Sequence, residues 1–351
     1  MSADSPNRQS AIENRKFPRV SFRLVQTASV FLLMLALCVI SSLRTQTFFT
    51  WRNLVVNLLT NASALGILAC GMTFVMIAGG FDLSVASITA VCSVVAILLL
   101  KAMAAQGAWV ALPLALAGTL AAGTVLGAAN GVLISYVGVN PFVVTLSTML
   151  IFRGIALIIT GGGQSIQVPL NHKAPFATLY WGQVNVLGSA AHPLTVPILI
   201  FVGVFVLSVY LLRFTRFGHY VYAVGGNEGA AWLAGVNTSL VKAVTYILSG
   251  VACAIAAVIY GALSGTAQAA SYQGLEMVVI ASVIVGGTPL GGGSGSLLCT
   301  LNGLLLLAVI ENLLGQFQVA EEYRNVVRGV IILVVVAVDI LVRGAQGKRR
   351  R

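Results

Sequence analysis

The longest uncharged stretch is the feature that most limits what this chain can fold into. No Asp, Glu, Lys or Arg occurs from Ala102 to Phe152, and similar runs lie between Arg52 and Asp82 and between Asp82 and Lys101. Crossing the hydrocarbon of a bilayer takes about 20 apolar residues in a helix, because a backbone without water must form its hydrogen bonds within the segment. The longest run therefore predicts two helical spans, which we separate near residues 138–141.

Other runs of the same kind extend this interpretation to the whole chain. Residues are 58% hydrophobic and 8% charged, whereas roughly a quarter are charged in a soluble domain, so a water-soluble globule is excluded. We predict an all-α membrane protein with about ten transmembrane helices, some discontinuous, in two weakly related halves. The predicted spans are residues 24–43, 53–78, 83–100, two within 102–160, 194–212, 240–262, 277–285, 297–310 and 326–342. Span 53–78 carries asparagines and span 277–285 is short, which is typical of discontinuous helices that line a path.

The distribution of cations predicts the orientation. The net charge is +11, and the cations are concentrated at the chain ends and in a few loops, which fits contact with anionic membrane lipid and not with nucleic acid. Because Lys and Arg beside spans remain on the cytoplasmic side, residues 1–23 and the basic residues 344–351 are predicted to be cytoplasmic tails. Residues 24–343 then form one multi-pass membrane domain.

No catalytic or metal site is evident in the sequence. The five cysteines lie in apolar stretches, and the three histidines lie in predicted loops without a Ser-His-Asp or metal-ligand spacing. We therefore predict that the chain is not an enzyme and holds no metal. Few acids occur inside the spans, whereas carriers coupled to an ion gradient usually need them, so an external energy source is favoured.

Two motifs place charged residues close to or inside spans. Gly79 and Gly80 precede Asp82, which must lie at a span end or in a wet cavity, since a charged Asp at mid-bilayer costs about 2.5–3.5 kcal/mol. Asp82 is thus either a capping acid or part of a path. In the second motif, Asn140-Pro141 predicts a helix start, and Arg153 follows inside the span, where it either snorkels, pairs with an acid or reaches the next polar loop.

Two further motifs are rich in glycine. Residues 225–236 predict a helix of about two turns between glycines, which is too short to be stable alone and docks either on its own membrane domain or on a cytosolic partner. Residues 274–296 contain a glycine run, but a Walker A sequence needs a lysine that is absent here. This segment is therefore not expected to bind nucleotide.

Together these motifs resemble the membrane permease subunit of bacterial ATP-binding-cassette (ABC) sugar importers of the ribose type, which are related to branched-chain amino acid permeases. The similar stretches cover residues 79–85, 140–154, 215–236 and 276–296, and the likeness extends over nearly the whole chain. The chain departs from the family's usual pattern at Ala86 and Ser294, where that pattern has Gly and often Arg. These departures leave the assignment to this class of permease unchanged, but they make the identity of the substrate harder to infer.

The resemblance implies a function, partners and site residues. It implies a permease that carries a monosaccharide, such as a ribose-like pentose or a hexose, across the bacterial inner membrane, powered by an ABC ATPase subunit that binds ATP and Mg. A periplasmic sugar-binding protein and a second permease copy in a homodimer are the other implied partners. An ion-coupled secondary transporter and an ABC permease for a non-sugar solute are the alternatives.

The predicted site has two parts. The segment that docks on the ATPase consists of Gly225, Gly226, Asn227, Glu228, Ala231, Leu233, Ala234 and Gly235. The residues that line or gate a path are Asn61, Gly79, Gly80, Asp82, Arg153 and Asn302.

Overall fold

The computed structural model describes residues 22–185, 193–320, 322–324, 326–330 and 333, with side chains from Val30 onward. Over these residues the predicted all-α membrane class is confirmed, since seven helices are long and apolar enough to cross a membrane. Nine of the ten predicted spans coincide with helices. Most of the tenth span, residues 326–342, and nearly all of both predicted tails fall outside the described residues, so those assignments remain predictions.

The helices are numbered in chain order. They are α1 (Phe22–Arg44), a π-helix (Arg52–Leu59) that continues as α2 (Thr60–Ile77), α3 (Val85–Ala102), α4 (Ala108–Ser135), α5 (Pro141–Ile159), α6 (Leu170–Trp181), α7 (Val196–Phe214), α8 (Arg216–Gly226), α9 (Glu228–Leu233), α10 (Thr238–Ser264), α11 (Leu275–Val285) and α12 (Leu297–Gln316). Two antiparallel pairs of short strands join β1 (Ile166–Gln167) to β4 (Thr266–Ala267) and β2 (Gln183–Val184) to β3 (Leu194–Thr195).

The centre of the bundle is formed by α2, α3 and α10, the helices with the largest buried share among the seven spans. The contact between α4 and α10 is the most extensive of any pair of described elements. Glycines at positions 123, 127 and 131 allow it, because a Cβ at Gly123 would lie 2.3 Å from the carbonyl oxygen of Gly250. Small residues spaced four apart let membrane helices approach this closely.

The two spans predicted to be discontinuous are irregular in different ways. Span 53–78 begins as a π-helix of eight residues, a conformation that is rare and often found at functional sites. The other, α11, has 11 residues and ends at Gly286, where a Cβ would lie 2.2 Å from the carbonyl oxygen of Cys299 on α12. Backbone contact with α12 therefore requires glycine at the point where α11 stops.

The two ends of the bundle differ in structure. At one end, called the far end, α6 lies across the ends of α3 and α10, where the His172 ring contacts the carbonyl oxygen of Met103 at 3.0 Å and Phe176 faces Gly261. At the other end, α2 stops beside α8 and the loop between α11 and α12. This second end contains most of the sequence motifs.

Candidate functional site

Three of the four motifs meet in backbone contact beside the last residue of α2. The amide of Gly293, from the loop between α11 and α12, donates a hydrogen bond of 2.8 Å to the carbonyl oxygen of Ile77. The same carbonyl faces Gly225 near the end of α8, where a Cβ would lie only 1.8 Å away. A side chain at position 225 is therefore excluded unless the backbone moves.

Further glycines complete this contact. A Cβ at Gly292 would lie 2.6 Å from the Cα of Gly79, and one at Gly293 would lie 2.7 Å from the Cα of Gly226. Real Cβ atoms do not approach other atoms so closely, so these positions need glycine for space, and Gly79, Gly292 and Gly293 also have positive φ angles. We call Gly79, Gly225, Gly226, Gly292 and Gly293 the glycine junction.

The short helix predicted from residues 225–236 is present as α9, directly after the glycine junction. Asn227 caps it by accepting a hydrogen bond of 2.9 Å from the amide of Ala230, as expected for an N-cap asparagine. Gly235, with φ +84°, ends it in the left-handed conformation. Ala234 is the C-cap residue.

The side chains of α9 divide into an inward and an outward set. Ala231 is buried in a cluster with residues of α2 and α8 and holds α9 on the membrane domain, so of the predicted docking residues it is the one that faces inward. Leu233 is 80% exposed and Trp232 is 66% exposed. Sequence reasoning missed Trp232, although a tryptophan beside an exposed leucine on so short a helix is itself a signal.

Glu228, the first residue of α9, is engaged within the chain. Its Oε2 lies 2.5 Å from the Nζ of Lys242 on α10. Both side chains are partly exposed, so this ion pair is weak in energy, but it ties α9 to the start of α10.

A cavity of about 540 Å³ lies next to the glycine junction. It brings the predicted path residues Gly79 and Gly80 together with the second motif and with the start of α9. Its lining includes Ile134, Gly138, Asn140, Pro141, Asn227, Glu228, Lys242, Thr245 and Tyr246. All four motifs thus contribute to one end of the bundle.

Asp82 lies in a buried polar network and does not line the cavity next to the glycine junction. It is fully buried, and it accepts hydrogen bonds from the Ser84 amide at 2.9 Å, from the Ser84 hydroxyl, and from the Ser249 hydroxyl at 3.1 Å. Asn130 of α4 donates to the Ser84 hydroxyl at 2.8 Å. Asp82 therefore joins α3, α4 and α10, which favours the capping interpretation over a place in a path.

Arg153 donates hydrogen bonds to backbone carbonyls, and Glu276 lies close enough to interact electrostatically with its guanidinium. Its Nη1 donates to the carbonyl oxygens of Ala269 and Ser271, the latter at 2.7 Å. The guanidinium thereby anchors the loop between α10 and α11 to α5, at the far end.

The other two predicted path residues lie on different surfaces. Asn61, on α2, lines a cavity at the far end, and its Oδ1 accepts a hydrogen bond from the hydroxyl of Tyr180 on α6. Burial raises the pKa of Tyr180, which keeps this hydroxyl protonated. Asn302 is half-buried on α12 and lines neither of the two cavities.

Among the residues that the structure describes, no three His, Cys, Asp or Glu side chains gather in a way that would hold a metal ion.

Comparison with known proteins identifies the family. Residues 54–336 match the family described as branched-chain amino acid transport system / permease component. The chain is 35% identical over 320 residues to the ribose import permease protein RbsC of Escherichia coli (strain K12), covering 90% of this chain and 94% of the relative. It is 31% identical over 312 residues to the D-allose transport system permease protein AlsC of the same organism, covering 89% and 90%.

A third relative is the L-arabinose transport system permease protein AraH of Escherichia coli (strain K12), 33% identical over 274 residues and covering 78% of each chain. No solved structure matches the chain. Because the family match covers more than half of the residues and the relatives align over most of their length, the assignment rests on the whole membrane domain. The chain belongs to the family of branched-chain amino acid transport system permease components.

Proposed function

We propose that this chain is the permease subunit of an ATP-driven importer that carries a monosaccharide across the bacterial inner membrane. Its relatives are named for the import or transport of ribose, allose and arabinose, which supports a sugar as solute. The observation that carries the proposal is α9, a six-residue helix with two large exposed apolar side chains next to the glycine junction.

The exposed face of α9 is suited to an ATPase subunit. A helix of six residues is not stable by itself, and here its inner side is held by Ala231 and by the Glu228–Lys242 ion pair. Its outer side presents Trp232 and Leu233, and tryptophans frequently dominate the binding energy of protein interfaces. We assign this outer side to a groove on the ATPase subunit, which supplies the ATP and Mg sites.

The glycine junction supplies the mechanical connection. A displacement of α9 moves the end of α8, and Gly225 is in direct contact with the last carbonyl of α2 and with the amide of Gly293. This displacement is transmitted to α2 at the centre of the bundle, and to α12 through the loop that precedes it. Rocking of these helices alternates the access of a central path, and no covalent chemistry takes place in this chain.

The orientation and the remaining partners follow from the same proposal. The glycine junction and α9 face the cytoplasm, both termini are cytoplasmic, and the far end receives sugar from a periplasmic binding protein. Two permease copies pair in the membrane and contact anionic lipid through the basic tails. The domain assignment is a permease domain over residues 24–343 between tails of residues 1–23 and 344–351.

Uptake into vesicles tests the energy source. Vesicles that contain the permease, its ATPase and its binding protein are expected to lose uptake of labelled D-ribose, D-allose or L-arabinose when vanadate blocks ATP hydrolysis, and to retain it with a protonophore. Uptake that survives vanadate and stops with the protonophore would show an ion-coupled carrier. Because the family's description names branched-chain amino acids, uptake of labelled L-leucine is measured in parallel. Uptake of leucine without uptake of any of the sugars would show that the solute is not a sugar.

A further inference from the structure

A cavity of about 610 Å³ opens at the far end, between the π-helix with α2 on one side and α11 and α12 on the other. This volume lies within the range of roughly 300–1,000 Å³ that is usual for small-molecule sites. Its polar side chains include Asn53, Asn57 and Asn61. Asn312 and Gln316 of α12 supply two further amides, and we call this space the amide cavity.

The amides form a connected chain across the two helices. Asn53 and Asn312 exchange two hydrogen bonds, of 3.1 and 3.0 Å, between their side chains. Asn57 donates to the Oδ1 of Asn53 at 3.3 Å, and Gln316 donates to the Oδ1 of Asn312 at 3.0 Å. Each amide offers two donor hydrogens and two acceptor lone pairs. Asn53, which also donates to the carbonyl oxygen of Phe48, uses all four, whereas the single hydrogen bond donated by the Asn57 side chain leaves it a donor hydrogen and its Oδ1 for a solute.

This row of amides cannot face lipid tails. The asparagines extend along a predicted membrane span for roughly 10 Å, and Asn57 and Asn61 are exposed on its surface. Polar groups without partners in hydrocarbon cost several kcal/mol each. Water or a polar solute in the cavity would satisfy these groups within the membrane domain.

The charges in the cavity are engaged with the protein. Glu311 of α12 forms a bidentate ion pair with Arg328, whose Nε donates to Oε1 and whose Nη2 donates to Oε2 at 2.8 Å. The Nε of Arg324 donates to the carbonyl oxygen of Val319 at 2.7 Å. The groups presented to a solute are thus chiefly uncharged amides, which both donate and accept.

The deeper wall is apolar. Leu65, Val278, Ala281, Leu307 and Ala308 line it. A mostly apolar wall with a few convergent polar groups is typical of small-molecule sites. A sugar has this same division, with hydroxyls at its rim and C–H groups on its ring faces.

We infer that the amide cavity is the binding site for an uncharged, polyhydroxylated solute entering from the far end. Asn57 and Asn61 bind hydroxyls, and Asn53 with Asn312 holds the wall in place. This inference rests on the proposed function for the direction of transport and names the solute class of the same permease. It assigns the far-end half of the path to the π-helix, α2 and α12.

Access of water to the cavity is tested by cysteine labelling. Asn57→Cys in the full chain, reconstituted in nanodiscs, is expected to react at least tenfold faster with a charged methanethiosulfonate reagent than Leu150→Cys. Leu150 is the matched control because it is 66% exposed in an apolar stretch of α5 and lies outside the amide cavity. The unsubstituted chain measures the labelling of the five native cysteines. Equal rates for the two variants would show that the cavity is closed to water and would overturn the inference.

The same variant identifies the solute class. D-Ribose, D-allose or L-arabinose is expected to slow the labelling of Asn57→Cys, and L-leucine and D-glucuronate are not. Protection by leucine or glucuronate alone, or by none of the sugars, would overturn the assignment to an uncharged polyhydroxylated solute. These measurements need no ATPase, so they remain decisive if the proposed ATP coupling fails.

Transport gives an independent readout in the complete importer. Asn57→Leu removes the amide hydrogen bonds to a bound sugar, and loss of two such bonds predicts about a tenfold fall in uptake with normal binding of the ATPase subunit. Thr124→Val is the control, since the Thr124 hydroxyl donates to the carbonyl oxygen of Leu120 in its own helix, and full uptake is expected. Full uptake by Asn57→Leu would contradict the inference while leaving the ATPase proposal intact.

Discussion

Replacing Leu233 by Asp is expected to separate the permease from its ATPase without disturbing the membrane domain. The Leu233 side chain is 80% exposed at the end of α9, so it contributes little to folding. Substitutions at such surface positions usually change the free energy of unfolding by less than about 0.5 kcal/mol. The effect of the variant should therefore appear in association alone.

The magnitude follows from the area that a partner would cover. Full burial of a leucine side chain stabilises by about 1.5–3 kcal/mol, and four-fifths of that area is available here, so docking gains about 1–2.5 kcal/mol from Leu233. Asp loses this gain and buries an unpaired carboxylate, which costs at least about 2 kcal/mol more. The Kd for the ATPase subunit is expected to rise by about 100-fold or more.

The assay compares two exposed leucines at opposite ends of the bundle. The permease in nanodiscs is titrated with the purified ATPase subunit, using Leu233→Asp and the control Leu170→Asp, whose leucine is 88% exposed on α6. Normal binding is expected for the control, with unchanged Tm for both variants. Unchanged affinity in Leu233→Asp, or an equal loss in the control, would refute the docking of α9.

Three further changes test the elements around α9. Gly225→Ala places a Cβ 1.8 Å from the carbonyl oxygen at the end of α2 and should lower the free energy of unfolding by about 1–3 kcal/mol or more, measured as a lower Tm. The control Gly226→Ala adds a Cβ with no atom within 4 Å and should leave Tm unchanged. Glu228→Lys should weaken ATPase binding by at most about 1 kcal/mol, and adding Lys242→Glu should restore it; a large loss that the double exchange does not repair would mean that Glu228 contacts the ATPase directly. Asp82→Leu leaves three hydrogen-bond donors without an acceptor and should lower the free energy of unfolding by about 3 kcal/mol or more, with a smaller decrease for Asp82→Asn. Tm values equal to that of the unsubstituted chain would show that the buried network does not stabilise the bundle.

Hydropathy predicted most of the fold because the membrane restricts the backbone to a few solutions. Each span from residue 24 to residue 310 lies on a helix, since an apolar segment of that length satisfies its hydrogen bonds only within itself. The helix at residues 228–233 was also predictable, because glycines bracket it and Asn227 caps it. Local patterns of residue type were sufficient for these features.

Contacts between distant segments were not predictable in this way. The glycine pairs were visible in the sequence, but a single chain does not reveal that Gly225, Gly79 and Gly293 lie together. The position of Arg153 inside its span indicated a partner, and its hydrogen-bond acceptors are the backbone carbonyls of Ala269 and Ser271. Because every residue has a backbone carbonyl, the sequence does not show which ones Arg153 contacts. Asn61 was selected as a path residue, whereas Asn312 was missed because a single sequence does not show that it pairs with Asn53 on another helix.

The absence of side chains at the glycine junction has a consequence for how work passes through the bundle. A contact made by side chains can absorb a displacement by changing rotamers, but backbones packed against each other have no such play. Under the proposed coupling, a small displacement of α9 by the ATPase would be sufficient, because a movement of less than an ångström at the glycine junction passes directly to α2 at the centre of the bundle. A methyl group added at Gly225 would act as a wedge between the end of α8 and the last carbonyl of α2, and it would push the two backbones apart even without a partner.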